Sequence, residues 1–266
     1  MVRAEVIGRA VFGRLVFIPG FLDNAALWRG VIDRLALPGW ASVPVNLRGT
    51  GRAEPSRRGA TLEAYRDQVL KVLDAVERES SGPVVVIGHS MGAQVAELVA
   101  GCRPHLAVGL ALVTPIPLRG FRLSAEQLAA FDNTARTRDP AAAADGRKPL
   151  LVSDSPDVLD ALVRSTLATP PETALEAHAW TSGHPLGSQP SIVTAPTLLI
   201  TTDDTFASRE LVRDAVASRF RHAQTAYVPG AGHWPHIEQP AAVANILTRF
   251  VGNIERALAS PSSRTS

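Results

Sequence analysis

The stretch that decides the fold is Val84-Val85-Val86-Ile87-Gly88-His89-Ser90-Met91-Gly92-Ala93-Gln94-Val95-Ala96. A run of β-branched residues suits a buried strand, and from Met91 onward small and unbranched side chains favour a helix, so the chain must turn sharply at Ser90. Gly88 and Gly92 remove the side chains that would collide where strand meets helix. G-x-S-x-G framed by a strand and a helix is a nucleophile elbow, a strained turn that holds its serine exposed at the end of a sheet.

Outward from this turn the chain alternates apolar runs with amphipathic ones. Arg14 to Pro19 predicts a buried strand stopped by Pro19-Gly20, and Asn24 can cap a helix that faces Leu27, Trp28, Val31 and Ile32 inward. A second strand is expected from Ala41 to Leu47, then a loop Arg48-Gly49-Thr50-Gly51 and a helix opened by Thr61. Leu106 to Thr114 reads as the strand after the elbow helix. Between about Arg119 and Ser191 helix starts recur without a convincing strand: Ser124 with Gln127 and Thr169 with Glu172 fit the capping box, and Ser155-Pro156 puts proline at a first helical position. Phe131, Leu162 and Trp180 belong to the underside of that segment. The strands resume at Pro196 to Thr202 and Gln224 to Val228, and a helix from Pro240 closes the chain. This rhythm predicts an α/β fold, a mainly parallel sheet covered by helices on both faces. The expected organisation is one core from residues 1–118 and 192–258, a helical insertion at 119–191 and a disordered tail at 259–266.

At 266 residues and 45% hydrophobic content the chain can bury one large core. The net charge is +2 and the basic residues, nearly all arginine, are scattered, Arg52 to Arg58 being the nearest thing to a cluster. No basic stripe interleaved with aromatics is present, so a nucleic-acid partner is not expected. The single cysteine, Cys102, excludes an intramolecular disulfide and a cysteine metal cluster, and is expected to be a packing residue of the elbow helix. Arg3, Glu5 and Arg9 interrupt the first residues, and no window approaches the roughly 20 apolar residues of a membrane helix. The expectation is a cytoplasmic monomer or homodimer acting on a small molecule, with no membrane partner.

A serine hydroxyl is a poor nucleophile at neutral pH and needs a histidine to take its proton and a carboxylate to orient that histidine. In chain order after an elbow serine come the acid and then the histidine, each past the carboxyl end of a strand. His233, in the small-residue loop Gly230-Ala231-Gly232-His233, meets the condition. The acid is Asp203 or Asp204. Adjacent residues at a strand end point different ways, so one can face the histidine, and Asp204 is favoured because it stands at the turn. An oxyanion needs two backbone N–H donors: Met91 offers one from a helix N-terminus and Phe21 the other, with Gly20 permitting close approach. His89 should point away from Ser90 in a packing or hydrogen-bonding role. The His233-Trp234-Pro235-His236 spacing does not fit a helical zinc pair, so no metal is expected.

With Pro19-Gly20-Phe21 and Trp28, Asn46-Leu47-Arg48-Gly49-Thr50-Gly51, the elbow, Pro196 to Asp204, and Gly232-His233-Trp234-Pro235-His236-Ile237-Glu238-Gln239-Pro240, the chain resembles the α/β-hydrolase superfamily. The likeness is to its capped group of esterases, lactonases and carbon-carbon bond hydrolases. It implies Ser90 as nucleophile, Asp204 as acid, His233 as base, Phe21 and Met91 as oxyanion donors, residues 119–191 as a cap, and no cofactor. Pro19, Asn46, Thr50 and Thr202 depart from residues common in that group. Trp28, Trp180 and Trp234 are candidates for an apolar pocket wall. The expected activity is hydrolysis of a carboxylic ester, lactone or thioester through an acyl-enzyme. A carbon-carbon hydrolase, a lyase, a cofactor-independent oxygenase or a non-catalytic binding protein are the alternatives on the same fold.

Overall fold

In the computed structural model, which describes residues 5–8, 12–50, 60–176, 181 and 183–260, the apolar runs pair into one parallel sheet. Its strands are β1 (Gly13–Ile18), β2 (Trp40–Pro44), β3 (Val84–His89), β4 (Ala107–Val113), β5 (Thr197–Thr202) and β6 (Ala223–Val228), in the order β2-β1-β3-β4-β5-β6. Each lies within a few residues of its expected position. Ahead of the sheet, Ile7 makes a single antiparallel bridge to Ser42.

Side chains alternate across the sheet because successive residues of a strand point to opposite faces. Val16, Ile18, Val84 and Val86 pack on one face, and Leu15, Phe17, Val85 and Ile87 on the other. The first face is covered by the helices Leu62–Glu79 (named α2) and Met91–Cys102 (α3). The second is covered by the short helix Arg29–Ile32 (α1) and the long closing helix Pro240–Ala259 (α10). On α10 the buried residues Val243, Leu247, Phe250, Val251 and Ile254 recur at helical spacing, an apolar stripe against β4 and its neighbours. The Ile254 tip occupies the space over Gly109, where any Cβ would overlap it.

Between β4 and β5 lie α4 (Ala125–Thr137), α5 (Pro140–Arg147), α6 (Pro156–Ala168) and α7 (Pro171–Glu176), and no strand of the sheet among the described residues. Ser124 and Gln127 form the expected capping box, with bonds of 2.9 and 3.1 Å. The second expected box does not form. Thr169 instead ends α6, its hydroxyl buried without a hydrogen bond, and the helix after it starts at Pro171, where proline's fixed φ suits a first turn. Helices α8 (Arg209–Ala215) and α9 (Pro235–Glu238) complete the order.

Two further expectations change. Cys102 is exposed at the last turn of α3, past the stripe that packs on the sheet. The closing helix includes Ala259, the first residue of the expected tail, while 261–266 lie outside the described residues, as do 52–58. No helix among the described residues is long and apolar enough to cross a membrane.

The chain leaves β1 to one side for β2 and returns to its other side for β3. That reversal makes the carboxyl ends of β1 and β3 a switch point, where open α/β sheets form a crevice. Ile18 and Gly88 are register partners there.

Candidate active site

The elbow serine takes φ 53° and ψ −119°, a conformation that side chains resist, and the surrounding packing holds it there. The two glycines are required by contact: a Cβ on Gly88 would overlap the Gly92 carbonyl, and one on Gly92 would overlap the carbonyls of Ile18 and Pro19. Ser90 N donates to Val113 O at 3.0 Å, pinning the turn to β4.

Ser90, His233 and Asp204, 143 and 29 residues apart, form one hydrogen-bonded chain. His233 Nε2 lies 2.9 Å from Ser90 Oγ and Nδ1 lies 2.6 Å from Asp204 Oδ2. A carboxylate only accepts, so Nδ1 carries the hydrogen and Nε2 presents its lone pair to the serine hydroxyl. Burial opposes ionisation of Asp204. The His233 ring and the amides of Phe206 (2.8 Å) and Ala207 (3.0 Å) outweigh it, and the carboxyl sits below its usual value. Asp203 faces outward, accepting from the Tyr227 hydroxyl and from Gly230 N at 2.7 Å.

The histidine loop is tied from several sides. Thr114 Oγ1 donates to His233 O, and Thr202 Oγ1 to Gly232 O, both at 2.8 Å. His233 N donates to Leu150 O at 2.8 Å, so the segment between β4 and β5 touches this loop directly. His89 Nε2 reaches His233 O at 2.8 Å and, since a carbonyl only accepts, donates to it. The elbow histidine thus supports the backbone of His233, and a Cβ on Gly20 would come within 2.7 Å of its Nδ1.

Phe21 follows β1 at the switch point, and the Gly20 carbonyl accepts from Asp23 N at 3.3 Å, which fixes the peptide plane carrying the Phe21 N–H. Met91 is the first residue of α3, whose dipole favours negative charge at that end. A cavity of about 520 Å³, counted with its open mouth, is lined by Ser90, His233, Phe21, Leu22, Phe131, Leu150, Phe206 and Trp234, with Asp23 and Arg147 adding charge. Of the tryptophan candidates, Trp234 lines this space. Trp28 does not: it is fully buried under the sheet, 5.2 Å from the Phe17 ring and stacked 4.4 Å from the ring of His236. Its place in an amphipathic turn made it a core residue. Trp180 lies outside the described residues.

Sequence reasoning missed the pair beneath the cavity. Asp23 is 1% exposed; its Oδ1 stands 3.3 Å from Arg147 Nη2 and its Oδ2 accepts from Trp234 Nε1 at 3.0 Å and lies 3.3 Å from His89 Nδ1. Burial would raise the Asp23 carboxyl, but the Arg147 guanidinium beside it outweighs that and brings it down to about 2. Burial lowers Arg147 from its usual value, and Asp23 acts against that. The guanidinium also lies 4.9 Å over the Trp234 ring. The available signal was Asp23 itself, a carboxylate inside the apolar run Phe21-Leu22…Leu27-Trp28. Among the described residues no group of three or more His, Cys, Asp or Glu side chains is placed to hold a metal.

The sequence profile of the Alpha/beta hydrolase family matches residues 15–246. A serine hydrolase-like protein of Dictyostelium discoideum is 27% identical over 149 residues, 56% of this chain; the match spans 40% of that longer protein. A probable esterase of Oryza sativa subsp. japonica is 22% identical over 266 residues, 93% of this chain and 94% of that one. The solved esterase EaEST from Exiguobacterium antarcticum superposes with a TM-score of 0.82 at 15% identity, covering 94% of each chain, a likeness of fold.

Proposed function

Because the chain belongs to the alpha/beta hydrolase family, we propose that it is a serine hydrolase that cleaves a small, largely apolar carboxylic ester, lactone or thioester through an acyl-enzyme. The observation that carries the reading is the continuous hydrogen-bonded chain from Ser90 through His233 to Asp204 at a strained elbow.

In this reading His233 Nε2 takes the Ser90 proton as Oγ attacks the substrate carbonyl, whose π electrons move onto oxygen. The Phe21 and Met91 N–H groups hold that oxyanion, while Asp204 stabilises the imidazolium and fixes its tautomer. Collapse re-forms the carbonyl and breaks the bond to the alcohol oxygen, or to the thiol sulfur of a thioester, which takes the proton from Nε2. Water, deprotonated in turn by Nε2, attacks acyl-Ser90, and the second collapse expels Ser90 Oγ, which recovers the proton. The segment 119–191 acts as a cap: Phe131, Leu150 and the Arg147 side chain wall the cavity from that side and keep bulk water from the acyl-enzyme. The apolar walls of Phe21, Leu22 and Phe206 favour a short acyl chain.

Hydrolysis of p-nitrophenyl butanoate tests the reading. Wild type should turn it over, and Ser90→Ala should lose at least ~10³-fold in kcat, since losing any member of a Ser-His-Asp unit removes most of the acceleration. Turnover by Ser90→Ala within tenfold of wild type would refute it.

A further inference from the structure

Arg147 is the cavity residue to which the acyl transfer above assigns no chemistry. It ends α5 and is 8% exposed. Nε and Nη2 donate to Thr166 Oγ1 at 3.0 and 2.9 Å, and Nη2 also donates to Phe21 O at 3.2 Å. Nη1 has no partner among the described residues, and Asp23 Oδ1, beside Nη2, is buried without a hydrogen bond. The Arg147 side chain is about nine-tenths buried and lines the cavity, so the donor its neighbours leave free is open to what enters that space. Nη1 is therefore the guanidinium donor available to a group of a bound ligand.

Its position and charge follow from the neighbours. The guanidinium holds the carbonyl of Phe21, the same residue whose N–H receives the oxyanion in the reading above, so the acceptor lies close to the reacting carbonyl. The cavity and its surround already set two carboxylates, Asp23 and Asp204, against one guanidinium. An anionic ligand would add a further desolvated negative charge, whereas a neutral oxygen satisfies Nη1 without one. We propose that the site is built for esters whose acyl group carries a neutral oxygen next to the ester carbonyl, an alkoxy-, hydroxy- or oxo-acyl group, bound by Arg147 Nη1. This rests on the ester-hydrolase reading and narrows its substrate class.

The test compares p-nitrophenyl methoxyacetate with p-nitrophenyl butanoate, which replaces the ether oxygen by a methylene at equal chain length, and adds mono-p-nitrophenyl succinate as the anionic arm. Dividing each kcat/KM by the hydroxide rate removes intrinsic reactivity. Wild type should prefer methoxyacetate at least tenfold, as expected for a hydrogen bond to a charged donor. Arg147→Met would strand a buried carboxylate, so Arg147→Met/Asp23→Asn is measured beside it; in the folded variants the preference should fall at least fivefold. A smaller fall, or a fall of both rates at constant ratio, overturns the proposal by making Arg147 structural only. A preference for the succinate over methoxyacetate overturns the neutral-oxygen assignment. If wild type hydrolyses none of the three, or does so equally in Ser90→Ala, the hydrolase reading fails instead. Calorimetric binding of the two neutral esters to Ser90→Ala then decides the Arg147 assignment alone, equal affinities overturning it.

Discussion

Replacing Arg147 by methionine keeps the length of the side chain and removes the cation beside Asp23. The carboxyl is fully buried and its folded value of about 2 lies below the ordinary 3.8, a difference of 3.8 − 2, or about 2 kcal/mol at 1.36 kcal/mol per unit. In the wild type this contribution is present above the unfolded value and is lost only as pH falls from about 4 through about 2. Without the guanidinium, burial dominates and pushes the carboxyl above its unfolded value, so stability is lost as pH rises through that raised value. Stranding a buried charge costs about 3–5 kcal/mol. For a chain of this size that is on the order of 10 °C in Tm. Thermal unfolding of wild type, Arg147→Met, Asp23→Asn and the double variant at pH 8 and pH 4.5 should show a large deficit for Arg147→Met at pH 8 that shrinks at pH 4.5. The double variant should recover much of it, with a coupling of at least about 2 kcal/mol. Additive single effects, together with an Arg147→Met deficit equal at both pH values, would refute the reasoning.

Asp204→Asn should lower kcat for p-nitrophenyl butanoate by a factor on the order of 10⁴, because an amide in that place no longer fixes the His233 tautomer. Asp203→Asn should stay within about threefold, since its partners are Tyr227 and Gly230. Steady-state kinetics of both variants checks this, and equal losses would contradict the assignment. Gly88→Ala places a methyl into the Gly92 carbonyl and should cost about 3 kcal/mol in urea unfolding or prevent folding. By contrast, Gly146→Ala in α5, where the added Cβ would lie 3.5 Å from Thr134 Oγ1, should stabilise by up to about 1 kcal/mol through helix propensity.

The sheet and its elbow were legible because local rules decide them. Runs such as Val84 to Ile87 have one stable environment, and the glycines around Ser90 have one steric reason. The choice between Asp203 and Asp204 could be argued from strand alternation, and in the structure the second turns inward to His233 while the first turns out to Tyr227. Arg147 and Asp23 could not be read this way. They are 124 residues apart, and an arginine at a helix end reads as a solvated charge until α5 is packed against the turn after β1. Trp28 misled for a related reason: a tryptophan that suits an apolar pocket wall suits the core as well, and the sequence does not say which face of the sheet its ring takes; it takes the face away from the cavity. Thr169 shows the limit of a motif, since its capping box was overruled by Pro170 and Pro171.

Covalent labelling with a small fluorophosphonate, read by intact mass and peptide mapping, tests the central claim most directly. The account predicts a single adduct on Ser90 in the wild type, none in Ser90→Ala, and labelling slowed at least ~10²-fold in His233→Ala, where no base remains to take the serine proton. A folded wild-type protein that takes up no adduct, or that is labelled at the same rate without His233, would contradict it.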